Sequence, residues 1–160
     1  MTVRLTDDII ELFADGETTK VLATLDADGF PHAVVKQSLQ PGEDGRIIYL
    51  ELIESSRTNK NLVRSLWFDR RVAIALRGKD GRSWQIKGKP VKTHITGPLF
   101  QKHYSAVRER LGDVDLAAVW VIEPEEVIEE SFAVRKDEEE RKHPFFTHID
   151  RLANQSGSET

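Results

Sequence analysis

The chain has 160 residues, which favours a single domain, and it contains no cysteine, which excludes disulfide bonds, thiolate metal sites and a cysteine nucleophile. The 23 Lys and Arg against 27 Asp and Glu give a formal net charge of −4, which disfavours nucleic-acid binding driven by phosphate neutralisation. With 39% hydrophobic and 31% charged residues, no signal-peptide core and no apolar stretch of membrane-spanning length, the sequence predicts a soluble, cytoplasmic protein.

The first half of the chain changes from a helical to a strand pattern after Gly16. Thr6, as the cap, is followed by Asp7 and Asp8 and by a narrow apolar stripe, which together predict a short N-terminal helix. The pattern that follows predicts three strands and then a helix, over residues 20–25, 30–39, 46–52 and 55–66. Turn residues separate the strands at 27–29 and at 40–45.

The second half repeats the strand–turn–strand pattern and ends in charged residues. Strands are predicted over 72–77 and 82–93, a helix from Gly97-Pro98 to 111, a sixth strand over 117–122 and a further strand over 127–134. Residues 135–142 are all charged and predict a solvated linker or helix. Short strands joined by tight hairpins predict a mainly-β (α+β) fold, an antiparallel barrel with flanking helices. We expect a barrel domain over 1–134 and a charged extension over 135–160.

Common catalytic signatures are missing. The sequence contains no P-loop, no G-x-S-x-G elbow and no H-E-x-x-H motif. The histidines show no metal-ligand spacing, so no metal site is predicted; they are His32, His94, His103, His143 and His148.

The most informative segment opens the second predicted helix. Residues 55–62, with the sequence SSRTNKNL, place hydroxyls, cations and free N–H groups at the positive end of a helix, an arrangement that suits a phosphate. The same residues also fit an ordinary capped helix with exposed cations, and the spacing alone favours this second interpretation.

Two further places hold candidates. Lys36 lies in an otherwise apolar strand, and it is either an exposed strand residue or, if the second and third strands pair, a second ligand for the same anion. Trp84 and Gln85 follow the turn at 78–81 and face opposite sides of their strand, so only one of them can point at a given site. A tryptophan at such a position belongs more often to the core than to a ring-stacking surface.

Several segments, taken in order, resemble the FMN-binding split-barrel proteins of the pyridoxamine 5′-phosphate oxidase-like superfamily. They are residues 22–32 (LATLDADGFPH), 56–62 (SRTNKNL), 69–73 (DRRVA) and 84–90 (WQIKGKP). The resemblance covers about residues 21–128. It implies a six-stranded antiparallel split barrel and a homodimer with two FMN sites at the subunit interface.

The resemblance also implies a set of cofactor-binding residues. They are Lys36, after the apolar run of the second strand; Thr58 and Lys60, with Ser56, Arg57 and Asn61 nearby, at the phosphate; and Ser83, Trp84 and Gln85 at the flavin ring or ribityl chain. No catalytic side chain is implied, because the flavin supplies the redox chemistry.

The function that follows is an FMN-dependent oxidoreductase acting on a small molecule. The alternatives are a flavin-binding or electron-transfer protein without catalysis, a split barrel that binds a deazaflavin or, through His143 or His148, haem, and an interaction module without a cofactor.

The tryptophan-bearing C-terminal segment of true pyridoxamine phosphate oxidases is missing, so oxidation of vitamin B6 is not expected. We expect the apolar residues 144–146 (PFF) to cover the flavin edge. The expected partners are a second copy of the chain and a small-molecule substrate or redox partner, with neither nucleic acid nor membrane.

Overall fold

The computed structural model describes residues 3–144, which form four helices and one seven-stranded antiparallel sheet. The helices are α1 (Asp7–Ala14), α2 (Arg57–Phe68), α3 (Pro98–Leu111) and α4 (Phe132–Lys142). The strands are β1 (Thr19–Leu25), β2 (Pro31–Val35), β3 (Gln40–Pro41), β4 (Ile47–Glu51), β5 (Val72–Arg77), β6 (Ser83–His94) and β7 (Ala118–Glu129). The strand order in the sheet is β2-β1-β5-β6-β7-β4-β3.

The two edges of this sheet are joined by a short piece of chain. β2 and β3 lie at opposite ends of the strand order, yet only residues 36–39 separate them in the sequence. Because four linking residues span at most about 17 Å, the sheet must curl until its edges come close. The predicted antiparallel split barrel with flanking helices is therefore confirmed, with seven strands rather than the six that were expected.

The extra strand arises where the second predicted strand ends early. The Lys36 N–H still donates to the Lys20 carbonyl, but the Leu39 N–H donates back to the Lys36 carbonyl at 3.2 Å, which turns the chain away from β1. Gln40 and Pro41, predicted as loop, then pair with β4. The prediction of one continuous strand over 30–39 was therefore wrong.

The sixth predicted strand and the start of the seventh form a single strand, β7, and residues 132–134 of the seventh belong instead to α4. β7 continues through Pro124, which lies opposite Gly88 at a shift in the register with β6. A Cβ atom at residue 88 would overlap the Glu123 carbonyl oxygen, so glycine permits the close approach of the two strands.

Apolar cores lie on both sides of the sheet at β4 and β7. Tyr49 and Trp120 fill the barrel interior, where α1 also contributes its apolar face. Ile48 and Val121 face the other side, where Val107 of α3 packs on them. All five residues of β4 are buried for this reason, and its sequence shows no polar alternation.

A buried lysine fastens the link between the sheet edges. Lys20 of β1 is 6% exposed, and its ammonium donates to the carbonyls of Phe13 at 3.0 Å, Leu39 at 3.3 Å and Gln37 at 3.5 Å. Burial lowers the pKa of Lys20. The Gln37 side chain accepts from the Lys20 N–H of β1 and donates to the carbonyl of Thr18, the residue before β1. The segment 36–39 is thus held against β1.

The charged segment that follows β7 begins as α4, which spans the expected domain boundary at residue 134; the division into two domains stays a prediction. Of the segment expected to cover the flavin edge, Phe145 and Phe146 lie outside the described residues, as does His148. No helix within residues 3–144 has the length and apolar character needed to span a membrane.

Candidate functional site

The first turn of α2 is fixed by its own polar side chains. Ser56 caps the helix, because its hydroxyl accepts the Asn59 N–H at 3.0 Å. The Asn59 amide donates to the Glu54 carbonyl at 3.0 Å and accepts from the Trp120 indole N–H at 2.8 Å. Thr58 is 1% exposed and therefore lies on the inner side of the helix. The start of α2 is thereby tied to β7 and held in place.

A cation-rich pocket of about 250 Å³ lies between α2 and the β1–β2 hairpin, and we call it the cation pocket. Arg57, Lys60 and Arg64 line it from α2, because positions three, four and seven apart share one helix face. Asp26 and His32 line it from the hairpin. None of the three cations forms an ion pair with a residue in the described range. Their charge is therefore available to an anion.

The Asp26 carboxylate of the cation pocket accepts hydrogen bonds from its own hairpin. One oxygen of Asp26 accepts the N–H groups of Asp28 and Phe30, each at 2.9 Å, and so closes the turn. Asn61, which is buried at the base of the pocket, donates from its amide to the Thr24 hydroxyl at 3.0 Å. This bond links α2 to β1 beside the cation pocket.

A second pocket has a volume of about 280 Å³, and we call it the sheet pocket. It lies on the outer face of β1, β5 and β6, and small apolar side chains such as Ala23 and Ala73 line much of it. Gln85 also lines it, whereas Trp84 packs against the barrel core. Thr24 borders the sheet pocket, and its hydroxyl accepts from Asn61 of the cation pocket, so one hydrogen bond links the linings of the two pockets.

Trp84 and Gln85 therefore face opposite sides of β6, as predicted. The indole N–H of Trp84 is buried and has no hydrogen-bond partner within residues 3–144. Ser83 is tied to the end of β7, since its N–H donates to the Ser131 hydroxyl at 2.9 Å. Among these three residues, Gln85 alone lines either of the two pockets.

Lys36 lies in a different environment from the cation pocket. Its ammonium is 4.0 Å from the Glu51 carboxylate and 5.7 Å from the centre of the Tyr49 ring. Glu51 is 1% exposed and accepts a hydrogen bond from the Tyr49 hydroxyl. Burial, and then this bond to Glu51, raise the pKa of Tyr49 far above its ordinary value. Tyr49 and Glu51 form a buried pair, and the partly exposed Lys36 is the nearby cation.

Lys36 was expected near the phosphate residues only if the second and third predicted strands pair, and they do not. The second predicted strand, as β2, pairs with β1, and β4 pairs with β7 and β3. Lys36 borders a separate cavity of about 450 Å³, which it shares with Glu51 and Ser38. The structure therefore brings Arg57, Lys60 and Asn61 together, and it leaves Lys36 outside that group. The role of each in binding a cofactor stays a prediction.

Two residues of the cation pocket were missed as ligand candidates in the sequence. Arg64 has a signal, because it lies four residues after Lys60 and seven after Arg57, on the same face of α2. His32 has none, because its position depends on the packing of the hairpin against α2. Residues 3–144 contain no group of three or more His, Asp or Glu side chains placed to hold a metal ion.

No family model and no curated protein sequence matches the chain. Solved structures do match it. HupZ of Group A Streptococcus is 20% identical with a TM-score of 0.65 and covers 80% of this chain and 95% of its own. A proposed pyridoxamine 5′-phosphate oxidase of Lactobacillus delbrueckii is 21% identical, with a TM-score of 0.62 over 78% and 93%. An FMN-binding protein of Syntrophomonas wolfei is 14% identical, with a TM-score of 0.62 over 77% and 84%.

The chain shares the split-barrel fold of these structures, as the resemblance to the pyridoxamine 5′-phosphate oxidase-like superfamily implied. Structures with this fold also include an F420 reductase, at 13% identity and a TM-score of 0.58, and HutZ, described as a haem storage protein of Vibrio cholerae, at 17% and 0.54. Proteins with this fold are thus named for different ligands. A structural likeness at these sequence identities therefore establishes the fold and not the ligand.

Proposed function

We propose that this split barrel binds FMN across the cation pocket and the sheet pocket and uses it as an oxidoreductase acting on a small molecule. The observation that supports this most directly is that a pocket rich in cations is linked, through the Asn61–Thr24 hydrogen bond, to a pocket that is largely apolar. FMN has the matching form, because it carries a phosphate dianion at one end and a flat, mostly apolar ring at the other.

The donor groups of the cation pocket fit a phosphate. Arg57, Lys60 and Arg64 supply guanidinium and ammonium donors, and charge-assisted hydrogen bonds of this kind are the strongest that a phosphate forms in proteins. Gln85 offers an amide group beside the apolar wall of the sheet pocket, where a ring would lie. When bound, the flavin supplies hydride or electron transfer, and the chain supplies binding and orientation.

A homodimer forms part of the proposal. Trp67 and Phe68 of α2 are 79% and 68% exposed, and with Val63 they line an apolar pocket of about 440 Å³ that shares Lys60 and Arg64 with the cation pocket. Apolar side chains this exposed favour cover by a second subunit. Sedimentation equilibrium, run alongside the FMN titration, should then give twice the chain mass of 18.2 kDa.

The test compares FMN with riboflavin, which lacks the phosphate. Purified protein should retain FMN through desalting, with the absorbance bands of an oxidised flavin. The double substitution Lys60→Ala with Arg64→Ala should weaken FMN about 100-fold, since two charge-assisted hydrogen bonds are lost, and should leave riboflavin affinity unchanged. The matched control removes two exposed lysines of α4, by Lys136→Ala with Lys142→Ala, and should change neither affinity.

Two outcomes would contradict this function. Equal losses for FMN and riboflavin would remove the phosphate from the cation pocket, and a protein that retains no FMN would remove the flavin altogether. A Soret band in the purified protein would instead indicate haem, and turnover with a nicotinamide donor and an acceptor would separate an enzyme from a flavin-binding protein without catalysis.

A further inference from the structure

A second cavity, which we call the α3 cavity, lies beneath α3 and shares no lining residue with the cation pocket or the sheet pocket. Its volume is about 530 Å³, within the range of small-molecule sites. Ile48 and Val121 form its apolar floor, and Leu99 and Ala106 line it from α3. It therefore offers an apolar surface large enough for a ring or a short aliphatic chain.

A register shift in β6 gives this cavity its polar groups. Pro90 lies opposite Ile122, but Lys92 lies opposite Val121, so one extra residue is accommodated between them. Since side chains alternate along a strand, this bulge turns Lys92 and His94 to the outer side of the sheet, with Val121 and beneath α3. Without it, Lys92 would point into the barrel core.

The charges around the α3 cavity leave one cation unneutralised. The titratable and charged groups that line it are Glu43, Asp44 and Arg46 from the β3–β4 loop, Lys92 and His94 from β6, and Lys102 and His103 from α3. Glu43 pairs with Lys102 at 3.1 Å, and Asp44 pairs with Arg46 at 3.9 Å. Lys92 forms no ion pair with a residue of the described range.

The two histidines add donors without adding charge at neutral pH. Burial, with the nearby Lys92, lowers the pKa of His94. Burial, with the nearby Lys102, lowers the pKa of His103 in the same way. Each neutral imidazole carries one N–H that a ligand can use, and protonation of either ring would add positive charge to the cavity.

We propose that the α3 cavity binds a small organic anion with an apolar body. Lys92, with His94 and His103, would hold the anionic group, while Ile48 and Val121 would contact the body. A neutral aromatic molecule would leave the ammonium of Lys92 unused. Because Lys102 and Arg46 are already paired with Glu43 and Asp44, the one ammonium left for a ligand matches a single negative charge. The cavity therefore favours a singly charged carboxylate or sulfonate.

The test uses naphthalene-2-sulfonate with the full-length, FMN-treated protein, and its neutral counterpart naphthalene-2-sulfonamide. The sulfonate should bind, and the sulfonamide should bind at least about tenfold more weakly, because it makes no ion pair with Lys92. Lys92→Met should weaken the sulfonate about tenfold, and the matched control Lys136→Met, an exposed lysine of α4, should not.

A pH series sharpens the test, because the sulfonate stays ionised throughout. Affinity should rise between about pH 7.5 and about pH 5.5, as the ligand favours protonated imidazoles. His94→Gln with His103→Gln should remove this rise, and the control His143→Gln should keep it.

Amide chemical shifts locate the ligand. Changes at residues 92–94 and 99–106 support the proposal, and changes confined to the exposed face of α2, around Trp67, would overturn it. It would also be overturned by an absence of binding, by equal affinity for the sulfonate and the sulfonamide, or by an unchanged affinity in Lys92→Met. None of these outcomes depends on the cation pocket, so they separate this site from the proposed FMN site.

Discussion

The linking segment 36–39 with β1, where the barrel closes, and the outer face of α2 both carry cations, but in opposite environments. Where the barrel closes, Lys20 is buried against three carbonyls and Lys36 lies beside the buried carboxylate of Glu51. On α2, Arg57 and Lys60 are exposed and form no ion pair with a described residue. A cation that is already satisfied contributes to the fold, whereas an unsatisfied one is available to a ligand. Substitutions in each region should separate these two roles.

The largest loss of stability is expected for Lys20→Met. The substitution removes the donor that serves the carbonyls of Phe13, Gln37 and Leu39, and it should lower the free energy of unfolding by about 3 kcal/mol. Urea denaturation of the two proteins measures the difference. A loss no greater than that of the exposed-site control Lys136→Met would contradict the role of Lys20 in closing the barrel.

The stability difference between wild type and Lys20→Met should also depend on pH. Burial lowers the pKa of Lys20 in the folded chain below its ordinary value of 10.5. Between these two pKa values the unfolded chain binds more protons than the folded chain, so wild type gains stability relative to the variant as pH rises through that interval. Unfolding measured at intervals up to about pH 10 tests the sign, and a decrease with rising pH would contradict it.

A smaller loss is expected for Lys36→Met. The substitution leaves the Glu51 carboxylate with the Tyr49 hydroxyl but without a cation, and the free energy of unfolding should fall by about 2 kcal/mol, because the lysine side chain is partly exposed. Combining it with Glu51→Gln should recover most of the loss, since the buried charge is then absent. Simple addition of the two single effects would show that the pair does not interact.

The smallest effect on stability is expected for Lys60→Met. Its side chain is exposed on α2, so the free energy of unfolding should change by less than about 0.5 kcal/mol. FMN affinity should nevertheless fall about tenfold, through the loss of one charge-assisted hydrogen bond. Denaturation and FMN titration of the same preparation measure both. A stability loss as large as that of Lys36→Met would erase the contrast between the two regions.

Local elements of this chain were predictable where turn residues and periodicity agree. Asp26 and Gly29 close the first hairpin, and the turn from Gly78 to Gly81 separates β5 from β6, both as expected. β7 was predicted as two strands, because Pro124 and its neighbouring glutamates resemble a break. The sheet accommodates the proline through the register shift at Gly88, which no local signal in β7 reveals.

The candidate site was predictable where it depends on one helix, and unpredictable where it depends on strand pairing. Arg57 and Lys60 reach one pocket because helix spacing dictates it. Lys36 was expected near them only if β2 paired with the strand that holds Glu51, and the chain instead turns after Lys36. The burial of Lys20 depends on the same turn, since two of the three carbonyls that it binds, those of Gln37 and Leu39, come from the linking segment.

The two edge strands of the split barrel are built in a way that limits association between chains through their strands. Within the described residues, the sheet ends at β2 and β3, which have five and two residues. Each contains a proline, Pro31 or Pro41, which has no N–H to offer to an added strand. Another chain would find only a short and interrupted row of hydrogen-bonding groups at either edge. Both edges are thereby protected against the strand-to-strand aggregation to which exposed sheets are prone.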